Sequence, residues 1–182
     1  DRGYMARISG KDADALGDGY VEEAKVARER AEAAKDAPPA SEDEVWAVLT
    51  DFDSYPSWNP FVVSIEGVAA VGEKLRAELS QGNGKTMVFK PRVKSADPGR
   101  RFSWLGHLLI PGLFDGHHRF AIEELDDGRV RFRQEESFRG VLVPLFKGML
   151  DRNTAAGFDA MNEALKYRVE SRAARARVRK AS

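Results

Sequence analysis

Residues 117–138, His117-His118-Arg119-Phe120-Ala121-Ile122-Glu123-Glu124-Leu125-Asp126-Asp127-Gly128-Arg129-Val130-Arg131-Phe132-Arg133-Gln134-Glu135-Glu136-Ser137-Phe138, read as one β-hairpin. Phe120 and Ile122 alternate with Arg119, Ala121 and Glu123. Val130, Phe132 and Phe138 share parity with Gln134 and Glu136, against Arg129, Arg131 and Arg133. Period-2 alternation of this kind marks strands with one buried face. Asp126-Asp127-Gly128 reads as a three-residue loop, with Gly128 free to take positive φ. That loop pairs Leu125 with Arg129. It therefore places His118 opposite Glu136, Phe120 opposite Gln134 and Ile122 opposite Phe132. All six share the face of Phe120, which is expected to point into the fold. A two-residue loop would break this parity, so the register rests on the turn.

The same alternation recurs upstream. Phe61, Val63 and Ile65 alternate with Val62, Ser64 and Glu66. Leu75, Ala77 and Leu79 form a second segment, Met87, Phe89, Pro91 and Val93 a third, and Phe102 with Trp104 a fourth. Asn83-Gly84 and Asp97-Pro98-Gly99 carry turn chemistry between them. The six segments describe an antiparallel meander. Before it, Ser41 and Glu44 fit a capping box, and Val45, Trp46, Val48 and Leu49 have helical spacing. That short helix is expected to end near Thr50-Asp51, before turns imposed by Pro56 and Pro60. After the meander, a long helix is expected from Pro144 to beyond Tyr167. Leu150, Thr154, Gly157, Phe158, Met161 and Leu165 form its apolar stripe. The fold class is α+β, a curved antiparallel sheet of six to seven strands with a long C-terminal helix across it.

The ends differ from this body, which spans residues 37–170. Residues 1–36 are polar and read as loosely ordered, with Glu22–Ala34 open to a helix or a poor strand. Residues 171–182 are a basic tail. From Lys166 onward, seven bases stand against Glu170 alone, a net of +6. Such a tail can touch an anionic surface, or simply be a solvated helix end that suits the helix dipole.

Composition bounds the function. The chain has 182 residues, 42% hydrophobic and 32% charged, with 29 bases and 29 acids. That is a globular composition with no net charge to attract nucleic acid. With no cysteine, there is no disulfide, thiol nucleophile or cysteine-ligated zinc. No charged-then-apolar leader is visible, so the expected location is the cytoplasm. His107, His117 and His118 cluster in sequence, but His117 and His118 must point to opposite faces of a strand. No metal is expected. Gly84-Lys85-Thr86 lacks the upstream glycine of a phosphate loop, because Leu79 stands there. No cofactor is expected.

Several stretches in order resemble the START-like SRPBCC superfamily, often labelled polyketide cyclase/dehydrase-like. They are Val45–Asp51, Tyr55-Pro56-Ser57-Trp58-Asn59-Pro60-Phe61, Trp104-Leu105-Gly106, Pro111–Phe120 and Ala156–Asn162. The resemblance runs from about Ala37 to Glu170. It implies a helix-grip fold, a seven-stranded antiparallel sheet gripping the C-terminal helix around an apolar cavity. One departure stands out: the family's opening strand would fall on Arg30–Asp36, which has poor strand propensity.

The expected site follows. Trp58, Phe89, Trp104, Phe120, Phe132, Phe138, Phe158 and Met161 are the candidate lining for a flat or apolar ligand. Plain core packing is the rival reading of the same residues. His118 is the candidate acid–base group of an enzyme of the cyclase, aromatase or dehydratase kind, with Glu136 orienting it and Gln134 or Asn59 holding a carbonyl. A satisfied structural pair is the alternative. A filled-core interaction protein working through its charged tails is a third reading. The expected partner is a small apolar or aromatic ligand, without nucleic acid and with at most weak membrane contact. Ile110–Gly116 is an apolar loop, either a lid at the cavity mouth or a loop tucked onto the body.

Overall fold

The computed structural model describes residues 4–6, 40–81, 84–107 and 110–181, with side chains at 40–81, 84–107, 110–143 and 155–176. The expectations for Glu22–Ala34, for Arg30–Asp36 and for Asn83 lie outside the described residues.

The chain builds β1 (Tyr4–Ala6), α1 (Glu42–Leu49), a 3-10 turn (Phe52–Ser57), then β2 (Val62–Glu66), β3 (Arg76–Ser80), β4 (Thr86–Phe89), β5 (Arg92–Asp97), β6 (Arg101–His107), β7 (Asp115–Glu124) and β8 (Val130–Arg139). A final helix, α2, runs from Val143 to Ala181. The strands form a five-stranded sheet, β1-β8-β7-β6-β5, and a three-stranded sheet, β2-β3-β4, all antiparallel. The two sheets meet where Lys74 bridges Arg92. Around that bridge the Leu75 N–H donates to the Pro91 carbonyl at 2.8 Å and the Val93 N–H to the Glu73 carbonyl at 2.9 Å. One curved surface results, and α2 lies across it. This is the helix-grip α+β fold.

Local chemistry explains the joints. Ser41 Oγ accepts from the Glu44 N–H at 3.2 Å, and Glu44 returns a carboxylate oxygen to the Ser41 N–H at 2.8 Å. This closed capping box starts α1, which turns Val45, Val48 and Leu49 inward. At the last hairpin, the Leu125 N–H reaches the Arg129 carbonyl at 2.7 Å and Gly128 takes φ 76°. The register is the expected one: His118 faces Glu136, Phe120 faces Gln134, Ile122 faces Phe132. Asp97–Gly99 also turns as expected, with Gly99 at φ 71°.

Two strand expectations need correction. The alternation Phe61, Val63, Ile65 fails, because the register shifts between Val62 and Ser64. Across this bulge it is Val62, paired with Leu79, that shares the buried face with Ile65. A bulge adds one residue and so reverses parity. The segment 87–93 is two strands rather than one. It bends at Lys90-Pro91, where proline has no N–H for a ladder.

The core lies between the sheet's inner face and α2. Val93, Phe102, Trp104, Phe120 and Ile122 are buried there, with Phe158, Met161, Leu165, Val169 and Ala173 from the helix. The expected stripe thus extends past Tyr167, and burial continues to Ala173. At that end Arg172 pairs with Asp51 at 3.4 Å.

Gly157 permits the closest approach of helix and sheet corner. A Cβ there would penetrate the Phe61 ring, which packs flush on the helix backbone. Phe61 is itself buried and meets Phe158 edge-on at 5.6 Å. Gly157→Ala is therefore expected to destabilise the fold by about 1–3 kcal/mol through overpacking. Urea denaturation measures it. Adding Phe61→Leu should recover part of the loss, and a loss below about 0.5 kcal/mol would contradict this packing.

The apolar loop after β6 is tucked onto the body. The Val141 N–H donates to the Gly112 carbonyl at 3.3 Å and the Leu142 N–H to the Leu113 carbonyl at 3.1 Å. Phe114 is buried against Phe138 at 5.3 Å. Asp115 clamps the loop. It accepts from the Gly112 N–H at 3.0 Å and bonds His107 Nδ1 at 2.6 Å. Burial pushes the Asp115 pKa up, but these bonds outweigh it and hold the carboxyl below its usual range.

Candidate functional site

β7 and β8 send alternate residues inward, which brings His118, Gln134 and Glu136 onto one wall. His118 is 1% exposed and enclosed by rings. Phe120 stacks on it at 4.4 Å, Phe158 lies at 4.8 Å and Trp104 at 5.0 Å. Phe120 in turn stacks on Phe132 at 5.8 Å. Trp104, Phe120, Phe132 and Phe158 therefore gather around His118 and Gln134. Met161 is fully buried one turn beyond Phe158.

The polar contacts differ from the simplest reading of the register. His118 bonds Gln134, at 3.1 Å from Nε2 to Oε1. Gln134 Nε2 donates to Asn162 Oδ1 at 2.6 Å and to the Phe158 carbonyl at 3.5 Å. The amide's donors are thus spent on α2, and its oxygen is left to accept from His118. This chain ties β7, β8 and α2 together. Burial of the ring pushes the His118 pKa down to about 3, opposed by the Gln134 bond and aided by His117 and Arg119. The imidazole is neutral at ordinary pH.

Glu136 behaves oppositely. It faces His118 across the ladder, yet no hydrogen bond or ion pair joins its carboxyl to another described residue. Its Oε1 lies 3.1 Å from where a Cβ on Gly116 would stand, with the Phe138 ring 3.4 Å from the same point. The residue is only half-buried, as are Phe132, Gln134 and Phe138 on the same face of β8. Burial pushes its pKa up to about 8. A carboxyl poised there is largely protonated at neutral pH and can donate or accept a proton.

Trp58 and Asn59 stand apart from this group, at the corner before β2. Trp58 Nε1 donates to Ser54 Oγ at 3.2 Å, and its ring packs on Tyr55 at 5.0 Å. Asn59 Oδ1 accepts from the Phe61 and Val62 N–H groups at 3.0 and 2.9 Å. Phe89 sits on β4 opposite Ala77. His117 lies on the other face of β7, where burial, with Arg119 and Lys94, lowers its pKa. No cluster of three or more His, Cys, Asp or Glu able to hold a metal occurs among the described residues.

Two residues escaped sequence reasoning. Asn162 lies four residues after Phe158, so its place beside the inner stripe was readable from helical spacing. Gly116 sits inside a strand, a position that often marks close approach by another group. Here that group is the Glu136 carboxyl.

Comparison with known proteins agrees with this architecture. A hypothetical protein of Helicobacter pylori is 18% identical, with TM-score 0.58 over 69% of this chain and 79% of its own. An aromatase/cyclase from a Streptomyces species is 19% identical, with TM-score 0.53 over 73% of this chain and 88% of its own. Ara h 8.0201 is 16% identical, with TM-score 0.54 over 75% of this chain and 94% of its own. At these identities the likeness concerns the fold. No curated protein matches the sequence significantly, and no helix among the described residues is long and apolar enough to cross a membrane. The family model for polyketide cyclase / dehydrase and lipid transport proteins matches residues 28–170, which include every strand from β2 to β8 and most of α2, and the chain belongs to that family.

Proposed function

We propose that the protein binds a small hydrophobic or aromatic molecule between the inner face of the sheet and α2, with the molecule's polar end at Glu136. One observation carries this reading. Glu136 is an inward-facing carboxyl on a partly buried residue, beside the Phe138 ring, with no partner among the described residues. An unpaired carboxyl in such a wall costs stability, so a ligand that satisfies it supplies its reason to be there. Phe138 lies beside it and Phe132 shares its face of β8, both partly exposed apolar surface of the kind such a ligand needs. Native mass spectrometry of the protein as purified from cells tests the reading. The expected result is an excess mass that disappears on denaturation and a released apolar molecule. Identical native and denatured masses, together with no uptake of added aromatic compounds, would refute it.

The second reading is an enzyme of the cyclase, aromatase or dehydratase kind. The position of Glu136 near neutrality favours it, because a group with that pKa can give and recover a proton in one cycle. In this reading Glu136 is the acid–base group and His118 a positioning residue that holds Gln134. Glu136→Gln would then abolish turnover while ligand uptake persists.

A further inference from the structure

We infer that Glu136 meets the ligand as an uncharged hydrogen-bond donor, so that the site selects a planar apolar molecule bearing a neutral carbonyl oxygen and rejects carboxylates. The inference rests on the binding reading above.

The geometry supplies the reasons. The carboxyl lies over the bare backbone of Gly116 with the Phe138 ring beside it. No hydrogen bond or ion pair joins its carboxyl to a described residue. Both Gln134 amide contacts go to α2, and its oxygen holds His118. The titratable side chain facing Glu136 from β7 is His118, which is uncharged. Arg119 and His117 flank His118 in sequence and so project from the opposite face of β7. From α2, Asn162 accepts from Gln134 at 2.6 Å, and no hydrogen bond joins its amide to Glu136. A buried carboxyl bonded to no cation or donor among the described residues keeps its proton, in line with its raised pKa. In that form it offers one O–H donor. A ketone or aldehyde oxygen can accept it. A ligand carboxylate would bring a second, uncompensated charge into an apolar wall.

Four naphthalene probes of similar size separate the alternatives: 2-acetylnaphthalene, 2-ethylnaphthalene, 2-naphthoate and 2-(aminomethyl)naphthalene. Their affinities are measured by calorimetry on the full chain. At about pH 6.5 the ketone should bind about tenfold tighter than the hydrocarbon and the carboxylate, as one net hydrogen bond would give. At about pH 9.5, above the Glu136 pKa, the advantage should vanish. Glu136→Gln keeps an N–H donor, so it should retain the preference at both pH values, whereas Glu136→Leu should lose it. Equal binding of ketone and hydrocarbon overturns the inference and leaves the binding reading standing. So does a carboxylate or amine that binds as tightly as the ketone. Failure of all four probes overturns both. The wild-type comparison across pH stands even where a variant does not fold.

Discussion

Phe120→Ala is expected to lower the unfolding free energy by about 3–5 kcal/mol, among the largest effects of any single truncation in this chain. Phe120 is the junction of the core. Its ring contacts Phe102 at 6.0 Å, Trp104 at 5.0 Å, His118 at 4.4 Å and Phe132 at 5.8 Å. Removing it withdraws a partner from four rings at once and leaves a cavity that β-sheet neighbours cannot collapse to fill. For a domain of this size the melting temperature should fall by about 6–20 °C. Urea denaturation should show a lower midpoint with an unchanged slope. Val141→Ala is the control, because Val141 is 77% exposed and its loss should stay within about 0.5 kcal/mol. A Phe120→Ala loss under about 1 kcal/mol would mean that the rings do not form the close-packed junction described.

Acidification should be nearly as damaging, and for one main reason. His118 titrates near 6.5 in an unfolded chain and near 3 when folded. Its folded pKa is depressed, so the stability it contributes is fully present above pH 6.5 and is lost as pH falls toward 3. The loss integrates to about 3–5 kcal/mol. Glu136 runs the other way. Its pKa rises from 4.5 to about 8 on folding. Its contribution is complete below pH 4.5 and is lost as pH rises through 8. Between about 4.5 and 6.5 the two slopes oppose each other, so stability should be flattest there. Denaturation midpoints measured from about pH 3 to 9 check this. His118→Gln cannot titrate in this range and should remove most of the acid-side loss. Glu136→Gln should flatten the alkaline side. If the acid slope were unchanged in His118→Gln, protonation of this buried ring would not be its source.

Much of the fold was legible because its signals are local. The capping box at Ser41 and Glu44 involves groups three residues apart, and the structure contains both of its bonds. The Asp126-Asp127-Gly128 loop sets hairpin parity through one glycine of positive φ. Once that parity is set, the facing pairs His118–Glu136, Phe120–Gln134 and Ile122–Phe132 follow by counting. The errors arose where local counting is interrupted. One residue of bulge between Val62 and Ser64 exchanged the buried face of β2, and Pro91 split an alternation that looked continuous. The pairing of Tyr4–Ala6 with Glu136–Phe138 joins residues 130 to 134 positions apart, and no local pattern announces such a contact.

The candidate site divides along the same line. Residue type and period-2 spacing determined which side chains share the wall: His118, Phe120, Phe132, Gln134, Glu136 and Phe138. They did not determine which polar group His118 bonds, since Gln134 and Glu136 both stand on that wall. α2 made the choice. Asn162 and the Phe158 carbonyl take the Gln134 amide, which turns its oxygen to His118 and leaves Glu136 over Gly116, unbonded to any described residue. Side-chain alternation is a property of the strand itself, whereas the selection of one acceptor over another depends on donors from an element across the core. Burial likewise depends on every layer packed around a group, so the opposite pKa shifts of His118 and Glu136 exist only once helix and sheet have closed on each other.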